Sequence, residues 1–380
     1  MQMSHLLEDE PTNLADLFAE LFSENTLRNL FHDVFRHSSA KGIDRLNGFQ
    51  FTSQSAESLR SASAKILDGT YRFSPYLETL KTKGRDNKPR LISIPTVRDR
   101  VVLHQLNKFL AAAFPDSIPR NIAATYVRTI AADLDSRDLA STFVCGADIK
   151  SFYDAILRGE LLKLVGGRLR IEAATRLIGH AISTPTVPKN CRRSSYSLFQ
   201  TTRGVPQGLA ISNILAAIYL APVDRAMATL SVRYFRYVDD VLMYGEEGAI
   251  RDAYKRLGNR LRRRGLTLHK LGSGKTHLGT LTEPFGYLGY RFEGRIVTVR
   301  SSTIERLIQS LAAKFSEYVH NKKRRQERFN YLTDERLRDI FLDELNERIS
   351  GALSGNRRYG WIAYFNQIND LSLLHQLDAM

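Results

Sequence analysis

The chain has 380 residues, 55 Lys and Arg against 40 Asp and Glu, and a net charge of +15. That length predicts two or three domains, and 43% hydrophobic with 25% charged residues excludes wholesale disorder. Two cysteines, Cys145 and Cys191, exclude a disulfide framework and a convincing zinc site.

Acidic Glu8, Asp9 and Glu10 with no apolar run behind them predict no signal peptide. The stretch from Leu209 to Val223 is broken by Ser212 and Asn213 and is too short to span a bilayer. A cytoplasmic protein with no membrane partner is expected. Positive charge gathers in Arg72–Lys108, Arg158–Arg203 and Arg251–Lys275, a pattern that suits a phosphate backbone or, for any single block, a solvated face.

In chain order, Leu14, Leu17, Phe18 and Leu21, then Leu27, Leu30, Phe31 and Val34, predict N-terminal amphipathic helices. Arg90 to Val102 reads as a strand leading into a loop and helix. Thr142 to Ile149 reads as a buried strand with Asp148 at its C-terminal end. Ala210 to Met227 fits a helix with a kink or break at Pro222. Val232–Tyr237 and Val241–Tyr244 predict a hairpin with Asp239 and Asp240 at its tip. Ile250, Tyr254, Leu257 and Leu261 predict a helix capped near Gly265, and Leu266 and Leu268 open a further strand. Strand, helix, hairpin, helix, strand is the ferredoxin-like order. Beyond Arg300 the pattern is helical, with a last helix around Trp361 to Leu377. The predicted fold is α+β with a helical tail.

Such a sheet sets Asp148 beside Asp239 and Asp240. Clustered carboxylates repel unless cations hold them, and hard oxygen ligands suit Mg²⁺. Two such ions activate a hydroxyl and stabilise a leaving pyrophosphate. An isolated Asp-Asp pair is equally a solvated turn.

Seven motifs in order decide between these. Phe235–Leu242 (FRYVDDVL) resembles the active-site hairpin of reverse transcriptases, and Gly146–Ile156 (GADIKSFYDAI) resembles their first catalytic strand. Arg203–Asn213 (RGVPQGLAISN) resembles the block shaping the nucleotide pocket, and Lys88–Val102 (KPRLISIPTVRDRVV) a fingers block of group II intron and related bacterial enzymes. Phe285–Tyr290 (FGYLGY) resembles the primer grip, Lys41–Asp44 (KGID) the upstream block, and Gly360–Phe365 (GWIAYF) a thumb segment.

The resemblance implies a right-hand polymerase: an N-terminal helical segment 1–40, fingers 41–141, a ferredoxin-like palm 142–290 and a helical thumb 291–380. It implies catalytic Asp148, Asp239 and Asp240, holding two Mg²⁺ (Mn²⁺ a substitute) with the Ile149 carbonyl. It gives nucleotide binding to Arg90, Lys83, Gln207, Gly208 and Lys275, with Tyr153 as a steric gate against a 2′-hydroxyl. Tyr287, Leu288, Gly289, Lys322 and Arg325 are the implied nucleic-acid contacts; core packing for Tyr153 and surface charge for the lysines remain the plain alternatives. The implied partners are an RNA template, a DNA or RNA primer and deoxynucleoside triphosphates.

Valine rather than alanine precedes the Asp pair, the retron Val-Thr-Gly signature is missing at Val297–Val299, and Gln207 is kept. The residues after Arg300 are too few for a full thumb plus maturase or nuclease domains. That outline is similar to the free-standing, abortive-infection type of defence-associated reverse transcriptases, working with a dedicated non-coding RNA. A retron- or intron-type element enzyme, a non-catalytic RNA-binding scaffold and an RNA-making polymerase stay open.

Overall fold

The computed structural model describes residues 13–82, 89–118, 122–329, 331–354 and 357–379. The chain opens with α1 (Leu14–Leu21), α2 (Glu24–Leu30), a π-helical turn at Phe31–Phe35, and α3 (Gly48–Leu67). Next come β1 (Tyr76–Lys81), β2 (Arg90–Ile94), α4 (Val97–Ala113), α5 (Ala123–Asp135) and β3 (Phe143–Asp148). Helices α6 (Phe152–Ala155), α7 (Arg158–Leu169) and α8 (Glu172–Ser183) lead to β4 (Thr186–Val187) and a 3-10 segment, Arg193–Phe199. Then follow α9 (Ser212–Ala228), β5 (Arg233–Tyr237), β6 (Asp240–Gly245), α10 (Glu247–Arg262) and β7 (His277–Thr280). The remainder is β8 (Phe285–Tyr287), β9 (Tyr290–Glu293), β10 (Ile296–Val299), α11 (Ser301–Arg328), α12 (Asp334–Ser350), β11 (Ala352–Ser354), β12 (Arg357–Tyr359), α13 (Trp361–Tyr364) and α14 (Leu371–Asp378).

The chain forms two compact units. Unit 1 takes Met1–Pro119, Ile149–Met227 and Leu257–Thr267. Its N-terminal helices pack through aromatic rings, Phe18 lying 4.7 Å from Phe22 and 5.1 Å from Phe109 between centroids. Helix α3 starts at a capping box in which Asn47 and Gln50 satisfy each other's backbone N–H. Asp99 on α4 is fully buried, and its charge is met by the Tyr71 hydroxyl (2.6 Å), the Ser74 N–H (2.9 Å) and Arg98 (3.1 Å). The small sheet here has the order β2-β1-β4.

Unit 2 takes Arg120–Asp148, Ala228–Arg256 and Leu268–Met380. Its main sheet has the order β5-β6-β3-β7 with every neighbouring pair antiparallel. Numbered by appearance that is 2-3-1-4, the ferredoxin-like arrangement expected from the sequence. A second sheet, β10-β9-β8, shares its core: Val144, Leu242, Tyr244, Tyr287, Tyr290 and Phe292 form one buried cluster. Helices α11 and α12 meet through Tyr318 and Phe315 against Phe341.

Four expectations change in detail. Helix α9 runs unbroken through Pro222, because Tyr219, Leu220, Ala221 and Val223 around it are all buried and tertiary packing outweighs the lost N–H bond. The strand expected at Leu266 and Leu268 is reduced to two bonds beside the end of β3, Lys150 N–H to Thr267 O and His269 N–H to Asp148 O. The regular strand β7 starts only at His277, because the intervening segment turns back on itself: Gly272 and Gly274 take positive φ, and the Thr276 hydroxyl bonds His269 O. Asp240 sits inside β6 rather than at the hairpin tip, which is Val238–Asp239. The expected last helix is two short ones, α13 and α14, preceded by the hairpin β11–β12. Cys145 and Cys191 are both free.

Candidate active site

Ladder register builds the acidic end of the unit 2 sheet. Residue by residue along β3 and β6, Gly146 opposes Leu242, Ala147 opposes Val241 and Asp148 opposes Asp240. The pair Tyr237 and Asp240 closes the β5–β6 hairpin over a two-residue turn. Its first residue, Val238, has φ +57°, a conformation that a β-branched side chain rarely takes. The turn holds because buried Arg236 donates from Nη1 to the Val238 carbonyl at 2.7 Å. Such strain is characteristic of functional turns.

Asp148, Asp239 and Asp240 line one cleft of 360 Å³ with Lys275, His277, Gly286 and Arg300. Burial pushes the Asp240 carboxyl up to about 7; the Leu288 N–H, 3.3 Å from its Oδ2, opposes the shift, and the charges of Asp239 and Asp148 add to it. Asp148 Oδ2 lies 3.3 Å from Lys275 Nζ and 3.5 Å from His269 Nε2. Lys275 and His269 come from the two ends of the loop that interrupts the edge strand, so this insertion brings a lysine ammonium and an imidazole to the acid. Gly286 admits Arg300, since a Cβ there would run into its guanidinium. The three carboxylates are hard oxygen donors that repel as a set, the chemistry of a divalent-cation site. Among the described residues no three His, Cys, Asp or Glu side chains are drawn into a ready-made ligand cluster. Ile149 is buried.

The turn after β8 is tied to this cleft. Leu288 (φ +52°) and Gly289 (φ +85°) form it, Tyr364 donates its hydroxyl to Leu288 O at 3.1 Å, and the Phe365 ring covers Gly289. Tyr287, expected as a nucleic-acid contact, is fully buried with its ring in the unit 2 core.

Unit 1 gathers most of the other expected residues. The Gln207 carbonyl accepts the Ser93 N–H at 2.7 Å, and Gly208, at φ +102°, leaves no room for a Cβ beside Ile92 and Ser93. The Gln207–Gly208 turn is thereby fixed on β2, the strand that carries exposed Arg90 opposite Lys81. Tyr153 is half-buried, its hydroxyl donating to Asn213 Oδ1 at 2.5 Å, and the Val205 N–H bonds its carbonyl. Lys83 lies outside the described residues. Lys322 and Arg325 on α11 are engaged within the protein, with Asp334 (3.0 Å) and Glu317 (3.6 Å).

Residues 80–292, more than half of the chain, match the family Reverse transcriptase (RNA-dependent DNA polymerase). The chain belongs to the reverse transcriptase family. That class is the RNA-directed DNA polymerases, nucleotidyltransferases that depend on divalent metal. Over 277 residues it is 22% identical to the group II intron-encoded protein LtrA of Lactococcus lactis subsp. cremoris, covering 69% of this chain and 44% of the relative. This reverse transcriptase thus spans less than half the length of that relative. Among solved structures, a telomerase from Candida tropicalis truncated from the C-terminal domain matches at 15% identity over 60% of this chain and 55% of its own, TM-score 0.47. Telomerase from Candida albicans in complex with a TWJ fragment of telomeric RNA matches at 13% identity over 74% and 55%, TM-score 0.47.

Sequence reasoning missed His269, Arg300 and Asn213. Asn213 closes the RGVPQGLAISN motif without its own role being legible there, and nothing in the local pattern marks His269 or Arg300; each acquires its place only through folding, although Gly286 inside the FGYLGY motif hints that something bulky must pass there. No helix among the described residues is long and apolar enough to cross a membrane.

Proposed function

We propose that this chain copies an RNA template into DNA by adding deoxynucleotides to a primer 3′-hydroxyl with release of pyrophosphate. The observation that carries the reading is the pairing of Asp148 with Asp240 across the ladder, with Asp239 in the adjoining turn and all three on one cleft. Asp148 and Asp239, with Asp240 and the Ile149 carbonyl, would hold two Mg²⁺, for which Mn²⁺ can substitute. The metals would activate the hydroxyl and neutralise charge on the leaving pyrophosphate.

The chain's own groups divide the remaining work. Lys275 gives a proton to the departing pyrophosphate. Arg90, with Lys83, clamps the triphosphate, and Gln207 and Gly208 line the nucleotide. Tyr153 excludes a 2′-hydroxyl, its ring fixed by Asn213. The turn Leu288–Gly289 places the primer, and Lys322 and Arg325 exchange their carboxylate partners for duplex phosphates. On this reading 1–40 is a helical lead-in, 41–141 the fingers, 142–290 the palm and 291–380 the thumb. We assign it to cytoplasmic antiviral defence with a dedicated non-coding RNA. The intron-encoded relative favours a second reading, an enzyme of an intron-type element.

The test is extension of oligo(dT) on poly(rA) with dTTP and Mg²⁺ by the wild type and by Asp239→Ala. Loss on the order of a thousandfold is expected. Equal incorporation by the two proteins overturns the assignment, and UTP used as well as dTTP overturns the role of Tyr153. One discrete copurifying RNA supports the dedicated template; heterogeneous RNA counts against it.

A further inference from the structure

Arg158 lies two residues past the first catalytic-strand motif, at the start of α7, and is half-buried. Its Nε donates to Gly204 O at 2.7 Å, its Nη2 to Thr201 Oγ1 at 2.7 Å, and its Nη1 to Thr201 O. Burial works against its charge, and among the described residues it makes no ion pair. The neutral oxygens of one loop therefore take up a guanidinium that has no counter-ion. Arginine suits such a task because its planar fork reaches several acceptors at once in fixed directions.

Backbone bonds fasten the same loop beside the fork. The Gly204 N–H donates to Ile156 O and the Val205 N–H to Tyr153 O, both at 2.8 Å. Gly204 takes φ +88°, and a Cβ on it would lie 2.9 Å from Asp154 O, so residues 201–205 run flush along residues 153–158. The segment before the loop is open, with Leu198 80% and Phe199 37% exposed. The segment after it is held, since Ser212 Oγ donates to Pro206 O at 2.6 Å and the Gln207 carbonyl is bonded to β2. Arg158 thus stands where an exposed stretch becomes a fastened one, on the short run of chain that also carries Tyr153.

We propose that Arg158 is a positioning residue for nucleotide selection: by tying Thr201 and Gly204 to the start of α7 it fixes Gln207 relative to the Tyr153 ring. The selection rests on the polymerase reading; the fastening of the loop does not. Arg158 touches no substrate, so its loss loosens the pocket without removing a reacting group. Nucleotide binding and discrimination then fall while the chemical step is kept.

The test combines steady-state extension of oligo(dT) on poly(rA), with dTTP and with UTP, and limited trypsin digestion of the full chain read by mass spectrometry. Arg158→Ala is expected to raise KM for dTTP about tenfold with kcat within about twofold, and to lower the preference for dTTP over UTP about tenfold. Arg158→Lys keeps the charge without the fork and is expected to behave as the alanine variant does. Thr201→Val removes only the side-chain acceptor and should move the same readouts about threefold, whether or not Arg158→Ala folds. Trypsin should cut the Arg203–Gly204 bond about tenfold faster in Arg158→Ala, with cleavage elsewhere unchanged. An unchanged KM or preference overturns the inference, as does full recovery by Arg158→Lys or a loss of kcat alone. If cleavage after Arg203 accelerates but the wild type extends nothing, the fastened loop stands and the polymerase reading fails. If the wild type extends and neither KM nor cleavage moves in the variants, only the role of Arg158 falls.

Discussion

The acidic cleft of unit 2 and the Arg158 fork of unit 1 are built in opposite ways. Asp148 and Asp240 stand opposite each other because the backbone ladder leaves them no alternative, and they are held there against burial and mutual repulsion. Arg158 is half-buried too, but its charge-assisted bonds to neutral oxygens outweigh that burial. Reaction chemistry demands fixed atoms in a costly environment, whereas holding a loop demands only bonds that favour the folded chain. The difference should therefore register in stability: the first site is expected to lower it, the second to raise it.

Asp240→Asn tests that contrast most sharply. Removing a buried charge beside two others should raise the melting temperature at pH 8 in the absence of divalent ions, while primer extension falls on the order of a hundredfold or more. Arg158→Ala should lower the melting temperature by about 2 °C. If Asp240→Asn melts lower than the wild type, the acidic cleft is not strained and the contrast disappears.

A smaller effect is expected at Asp133 on α5, a charged cluster that differs from both. Its Oδ2 receives the Tyr244 hydroxyl at 2.7 Å, Arg233 Nε at 3.1 Å and Arg137 Nε at 3.3 Å. Burial works against the charge, but the Tyr244 bond and the two guanidinium groups outweigh it and hold the carboxyl below its usual range. A depressed folded-state pKa gives stability that is present above the unfolded value near 4 and is lost as pH falls through the folded one. Asp133→Asn should therefore cost about 2 kcal/mol at neutral pH, measured by denaturant unfolding, and the gap to wild type should close as the pH falls through the depressed folded-state pKa. A gap that persists in acid would assign the loss to packing.

The smallest effect concerns Val238. Glycine accepts positive φ without penalty, so Val238→Gly should stabilise by about 1 kcal/mol in the same unfolding measurement. A loss of stability would mean that the valine side chain contributes more than its backbone strain costs.

The hairpin, the first catalytic strand and the α10 face were legible because each is local: alternation, an acidic break and an i, i+4 repeat survive in a linear reading. The fourth strand was misplaced because Leu266 and Leu268 do approach β3, while the regular ladder resumes only after the loop that follows them. Strands β8, β9 and β10 are three to four residues long, too short for alternation to announce them. Tyr287 shows the limit of motif reading. It belongs to the FGYLGY string, yet its ring is core and its buried phenol has no hydrogen-bond partner among the described residues. His269 and Arg300 became visible only once the loop and the Gly286 gap were in place.

The interrupted edge strand has one more consequence. An open sheet invites pairing with another chain along its free edges. Here one edge, β7, offers four residues before the glycine-containing loop turns the backbone away. The other, β5, carries exposed Arg233 and the inward guanidinium of Arg236. The loop that brings Lys275 to Asp148 thus also shortens the template on which a misassembled neighbour could grow, so deleting it should favour aggregation as well as disturb the cleft.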